Sequence, residues 1–172
     1  MVDALPWFVP GAAISLVAGV VTAPAVARGL RAQRLPAWLL VFGLGIVLAA
    51  TLTPVGGVFD DPAAIARTCD FSRIGIAPLG DLLRLGDTSL NVLLFVPLGI
   101  ALGLLPGSRR KWIVVGAAIL LPFAIETLQL LAPILARGCQ SADVVDNLTG
   151  LVLGIVGATG ARWLLAGPEA RR

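Results

Sequence analysis

The chain has no histidine and no tyrosine, only two cysteines, and charged residues at just 13% of its 172 positions. Without histidine, Ser-His-Asp and Cys-His nucleophiles and His-ligated zinc are excluded. Two cysteines cannot supply the four thiolates of an all-cysteine zinc or iron–sulfur centre. No metal centre and no cofactor is expected. The scarcity of charge excludes more. A soluble domain carries about 25% charged residues, whereas this chain is 58% hydrophobic with a mean hydropathy of +0.95. A domain of this length has no interior large enough to hide so much apolar side chain. The composition therefore specifies an integral membrane protein. A net charge of +3 would point to nucleic acid in a soluble protein. Here the basic residues flank apolar runs and read as orientation signals, so no nucleic-acid partner is expected.

What the sequence does have is long apolar stretches. Ala4–Ala27, Leu35–Phe59 and Thr88–Ser108 carry no charge, Trp112–Ala136 carries only Glu126, and Asn147–Ala161 continues past Arg162 to Ala166. A helical span needs about 20 residues. The runs predict an all-α bundle of five transmembrane helices, at about 5–27, 36–55, 89–106, 112–132 and 147–166, forming one membrane domain over 1–172 with one sizeable extracytoplasmic loop. The first run also resembles a secretory signal ending at Ala25-Val26-Ala27. Its N-terminus has Asp3 and no basic residue, and its apolar stretch exceeds a signal core, so a retained helix is expected.

Charge sets the expected orientation. Segments 28–34, 109–111 and 162–172 hold nine of the thirteen basic residues and fall on one side of a five-span bundle. The positive-inside rule makes that side cytoplasmic, in a multi-pass plasma-membrane protein with its N-terminus outside and C-terminus inside. Loop 56–87, on the other side, has five Asp against three Arg. Leu79, Leu82, Leu83 and Leu85 predict a short helix there, lying on the outer membrane surface, with Asp81 as its cap. Asp87-Thr88-Ser89 offers capping groups for the third span. Gly99, Gly103 and Gly107 in the third run, and Gly150, Gly154 and Ala158 in the fifth, recur every four residues and predict close helix packing, with helix-mediated self-association as the sharper alternative. Pro97 and Pro122 interrupt spans three and four.

Several polar residues resist the membrane reading. Glu126 lies about 22 Å along its helix from Lys111, in the outer half of the span, with Gln129 on the same face. Asn91 enters the membrane at the outer end of span three, and Arg137, Asp143, Asp146 and Asn147 crowd the junction between spans four and five. Asp143 and Asn147 share one face if the fifth helix begins early. All of the embedded polarity gathers at the outer side. An intramembrane carboxylate is costly, so the cluster reads as a functional site, the alternative being a hydrogen-bonded knot that fastens helices. The two cysteines, Cys69 and Cys139, fall in outer loops where oxidation is permitted and are expected to pair. The alternative is two unpaired small hydrophobes.

Asn91-Val-Leu-Leu-Phe95-Val-Pro97-Leu-Gly99, then Glu126-x-x-Gln129, then Arg137 with Asp143-x-x-x-Asn147-x-x-Gly150, resembles the VanZ-like membrane proteins over about residues 36–165, including the Thr51-Leu-Thr-Pro54 exit from span two. The resemblance implies a cell-envelope protein, with teicoplanin (glycopeptide) resistance as the name-giving phenotype. It implies Asn91, Glu126, Gln129, Arg137, Asp143 and Asn147 as the ligand-binding cluster. The chain departs from many members at Ser141, where they are acidic, and at Ile76-Ala77-Pro78-Leu79, where they flank the proline with Asn and Phe.

Three functions follow as expectations. The first is a non-catalytic protein that binds a membrane lipid or lipid-linked cell-wall precursor at the outer leaflet, Arg137 meeting a phosphate while Glu126 and Gln129 hydrogen-bond the head. The second is an intramembrane transferase or hydrolase, with Glu126 and Asp143 as catalytic acid and base. The third, a proton-coupled transporter, has only five spans and no repeat behind it.

Overall fold

The computed structural model describes residues 6–54 and 68–166. Most of the first half of the loop between the second and third spans, 56–67, and the tail arginines Arg171 and Arg172 lie outside the described residues. The helices are α1 (Phe8–Leu30), α2 (Arg34–Thr51), the short α3 (Leu79–Leu83), α4 (Asp87–Leu104), α5 (Arg109–Leu131) and α6 (Ser141–Leu165). All but α3 are long and apolar enough to cross a membrane. The protein is an all-α membrane bundle of five such helices.

Two boundaries depart most from the apolar runs. The second helix was expected to reach 55 but ends at Thr51, and Pro54 follows; a proline disfavours helical backbone in the residue before it. The last helix begins at Ser141, well before the apolar run at Asn147. Hydropathy sees only residues that can face hydrocarbon, and this polar first turn is covered by protein.

The two rows of small residues meet each other. A Cβ on Gly150 would overlap the Val92 carbonyl oxygen, one on Gly154 would reach Ile100 N at 2.7 Å, and one on Gly103 would lie 2.8 Å from Ala158 Cβ. The backbones of α4 and α6 therefore touch along their length. Gly107 lies past the end of α4 with open space around it and takes no part. A similar seam joins α1 and α2, where Gly11 faces Ala49, Gly45 faces Ser15 and Gly19 faces Trp38. Between the seams, Val47, Phe95, Leu98, Leu102, Ile125 and Leu151 form a buried core. Large side chains such as Ile14, Val17, Val21, Leu120, Phe123 and Val156 point outward and are exposed. That arrangement suits lipid as solvent.

The ends of the bundle differ in charge. At one end, Arg110 donates to the Gly29 carbonyl at the end of α1, and Arg162 Nη1 donates to Gly103, Leu104 and Leu105 carbonyls at the end of α4. Cations there also cap C-termini, where the helix dipole favours them. At the opposite end, two short parallel strands, β1 (Cys69–Asp70) and β2 (Cys139–Gln140), pair with Cys69 opposite Cys139. The predicted disulfide joins these cysteines. It clamps the loop between α2 and α4 to the junction of α5 and α6.

The loop helix α3 forms as expected, but Asp81 does not cap it. Its N-cap is Pro78, without a side-chain hydrogen bond, and Asp81 sits inside the first turn. At α4 the capping group is Ser89, whose Oγ accepts the Gly86 N–H at 3.0 Å. Phe71, Ile74, Ile76, Leu79, Leu83 and Leu85 leave this loop with an apolar outer surface.

Candidate functional site

The predicted polar residues do gather at the end opposite the cationic caps, but in two sets with different work. The first set finishes α2. A helix leaves its last four carbonyls without helical partners. Here Leu48 O accepts from Leu52 N, Ala49 O from Thr53 Oγ1, Ala50 O from Arg137 Nη2, and Thr51 O from Gln129 Nε2. Arg137 Nε also donates to Thr53 O at 3.3 Å. Ala136, in the left-handed region at φ 50° after the 3-10 turn Pro133–Leu135, reverses the chain so that Arg137 reaches back to α2. Thus Gln129 and Arg137 do not offer their bound groups to a ligand phosphate or headgroup. They close the open end of α2. Among the described residues Arg137 makes no ion pair with Glu126. Burial pushes its pKa down from the ordinary arginine value, opposed by the nearby charges of Asp143 and Glu126, and a guanidinium stays protonated.

The second set lies between α4, α5 and α6. Glu126, 5% exposed, accepts the Gln140 backbone N–H on Oε2 at 2.7 Å, so α5 holds β2 in place. Asn91 on α4 donates Nδ2 to Asp143 Oδ1 on α6 at 2.7 Å. Because α6 begins at Ser141, Asp143 and Asn147 fall one turn apart on the same helical face. Asn147 is 1% exposed, and its Oδ1 has no hydrogen-bond partner. Asn91 and Asp143 are half-buried and form the rim, while Asn147 lies roughly 6 Å deeper along α6.

Two residues that the sequence left outside the site complete it. Arg73, in the loop, forms an ion pair with Asp146 at 2.5 Å, and its main-chain oxygen accepts from Ser141 Oγ at 2.7 Å. The hydrogen bond to Asp146 raises the Arg73 pKa above its ordinary value, against the opposing effect of burial. Asp146 was visible as one of a crowd of polar residues at the junction. Arg73 had no local signal, because its partner stands 73 residues away. The ion pair and the disulfide together hold the loop over this end of the bundle.

A cavity of about 670 Å³ lies at the other end, lined by Arg31, Gln33, Leu35, Leu104, Pro106 and Arg162 among others, and contains none of these residues.

No similarity to a curated protein or to a solved structure was found. A family model described as VanZ/LLP1 matches residues 41–164. The match takes in both polar sets, the disulfide-bonded cysteines and the α4–α6 seam. By that match over most of its length, the chain belongs to the VanZ/LLP1 family.

Proposed function

We propose that the protein is a non-catalytic envelope protein that binds a lipid or lipid-linked cell-wall precursor at the outer leaflet of the plasma membrane. Asn91, Glu126, Asp143 and Asn147 receive the polar head, and the family implies a role in glycopeptide resistance. One observation carries this reading: Asn147 Oδ1, one helical turn along α6 from Asp143, is buried and unpartnered. An unsatisfied buried acceptor costs about 1–3 kcal/mol, a cost removed when a ligand supplies the missing donor. The cationic caps at the far end support the orientation, since the positive-inside rule puts that end in the cytoplasm and the cluster outside.

The test is mass spectrometry of lipids copurifying with the protein and with its Asn147→Leu variant. An unchanged lipid that is enriched with the native protein and depleted with the variant supports the reading. No enrichment over bulk membrane overturns it. A chemically altered lipid whose production stops in Glu126→Gln replaces it with the enzyme reading, in which Glu126 and Asp143 are acid and base.

A further inference from the structure

The donors and acceptors of the cluster are unevenly used. Resting on the lipid-binding reading above, we infer that the group recognised in the headgroup is a primary ammonium rather than a phosphate. Most of the side-chain donors named around the cluster are committed inside the protein, the exceptions including Arg137 Nη1 and Asn147 Nδ2, which hold no hydrogen bond among the described residues. Arg73 gives Nη2 to Asp146 and Nη1 to Gly75 O, Arg137 gives Nε and Nη2 to α2, Gln129 gives Nε2 to Thr51 O, and Asn91 gives Nδ2 to Asp143. The acceptors are not. Asn147 Oδ1 is buried without a partner. Glu126 uses Oε2 and Asp143 uses Oδ1, and their second oxygens hold no hydrogen bond among the described residues.

Charge gives the same answer. Glu126, Asp143 and Asp146 are three carboxylates facing two guanidinium groups, Arg73 and Arg137, and both Asp143 and Glu126 lie within electrostatic reach of Arg137. A phosphate would add negative charge beside these carboxylates. A primary ammonium brings one positive charge and three donors, and no acceptor. The acceptors left open to those donors are Asn147 Oδ1 and the second oxygens of Glu126 and Asp143, and bonds to the carboxylates are charge-assisted. The amine is carried by a lipid, because the rim residues Asn91 and Asp143 stand at the membrane-facing helices α4 and α6.

The experiment uses the full chain in phosphatidylcholine nanodiscs doped with equal small amounts of phosphatidylethanolamine and phosphatidylglycerol. Native mass spectrometry reads which lipid is retained. Retention of phosphatidylethanolamine about tenfold over phosphatidylglycerol is expected, the ratio a charge-assisted hydrogen bond supplies. It should fall to the phosphatidylglycerol level in Glu126→Gln and in Asp143→Asn, which keep acceptors for Gln140 and Asn91, and persist in Gly157→Ala, where nothing lies near the added methyl. Phosphatidylglycerol retained in preference, and lost in Asn147→Leu, would overturn the ammonium and leave lipid binding standing. Retention of neither lipid above phosphatidylcholine would overturn both. Displacement of phosphatidylethanolamine by equimolar free ethanolamine would show that the amine alone is the ligand and overturn the lipid-borne source.

Discussion

Asp146 has 2% of its side chain exposed and Arg73 28%, so the two charges form a mostly buried pair whose loss leaves a carboxylate stranded. Removing one partner of such a pair costs about 3–5 kcal/mol, and the partly exposed Arg73 puts this one at the lower end. Arg73→Ala should lower the melting temperature of the detergent-solubilised protein, and adding Asp146→Leu should recover most of the loss. Because Asp146 raises the Arg73 pKa, the stabilisation is complete below the unfolded arginine value and disappears only as pH rises through the folded one. The melting difference between native protein and Arg73→Ala should therefore stay constant from about pH 7 to pH 10. Asn147 makes the opposite prediction. Asn147→Leu removes an unpaired buried acceptor at similar volume, so it should raise stability by about 1–2 kcal/mol while abolishing ligand binding. A fall in melting temperature would show that the amide is structural and that the site has been misassigned.

The α4–α6 seam depends on the absence of side chain. Gly150→Ala would drive a methyl into the Val92 carbonyl, and forcing extra volume into a tight contact costs about 1–3 kcal/mol. Gly157 lies on the same helix with nothing within 4 Å of an added Cβ. Gly157→Ala should be neutral or stabilising by up to about 1 kcal/mol through helix propensity. Thermal melts of the two variants should separate cleanly. Equal effects would mean that α4 and α6 do not approach as described. At the end of α2, Gln129→Leu strips Thr51 O of its only side-chain donor among the described residues, and should destabilise by about 1–3 kcal/mol.

For the whole molecule, the expected orientation is open to direct measurement. Single cysteines at Gln33 and Gly107 lie at the end carrying the cationic caps. Gln33 makes no side-chain cap hydrogen bond and Gly107 has open space around it. With Cys69 and Cys139 left paired, an impermeant thiol reagent should label neither new cysteine in intact cells and both after permeabilisation. Labelling of intact cells would invert the protein in the membrane. Non-reducing peptide maps should link the peptides of Cys69 and Cys139, and two alkylatable thiols without reductant would contradict the clamp.

The sequence by itself determined the span count, the segregation of charge to the two ends, the cysteine pair and the rows of small residues that meet across α4 and α6. These depend on composition and on periodicity within one element, where hydrocarbon thickness and helical repeat leave few alternatives. It also made the polar set at one end legible. Tertiary structure decided what each polar residue does there. Gln129 and Arg137 were drawn to the carbonyls at the end of α2, Asp146 to an arginine in a distant loop, and Asn147 was left with an open acceptor. A polar side chain inside a membrane bundle must take whatever partner the neighbouring helices bring within about 3 Å. That partner stands up to 87 residues away in the chain, and no local pattern records it.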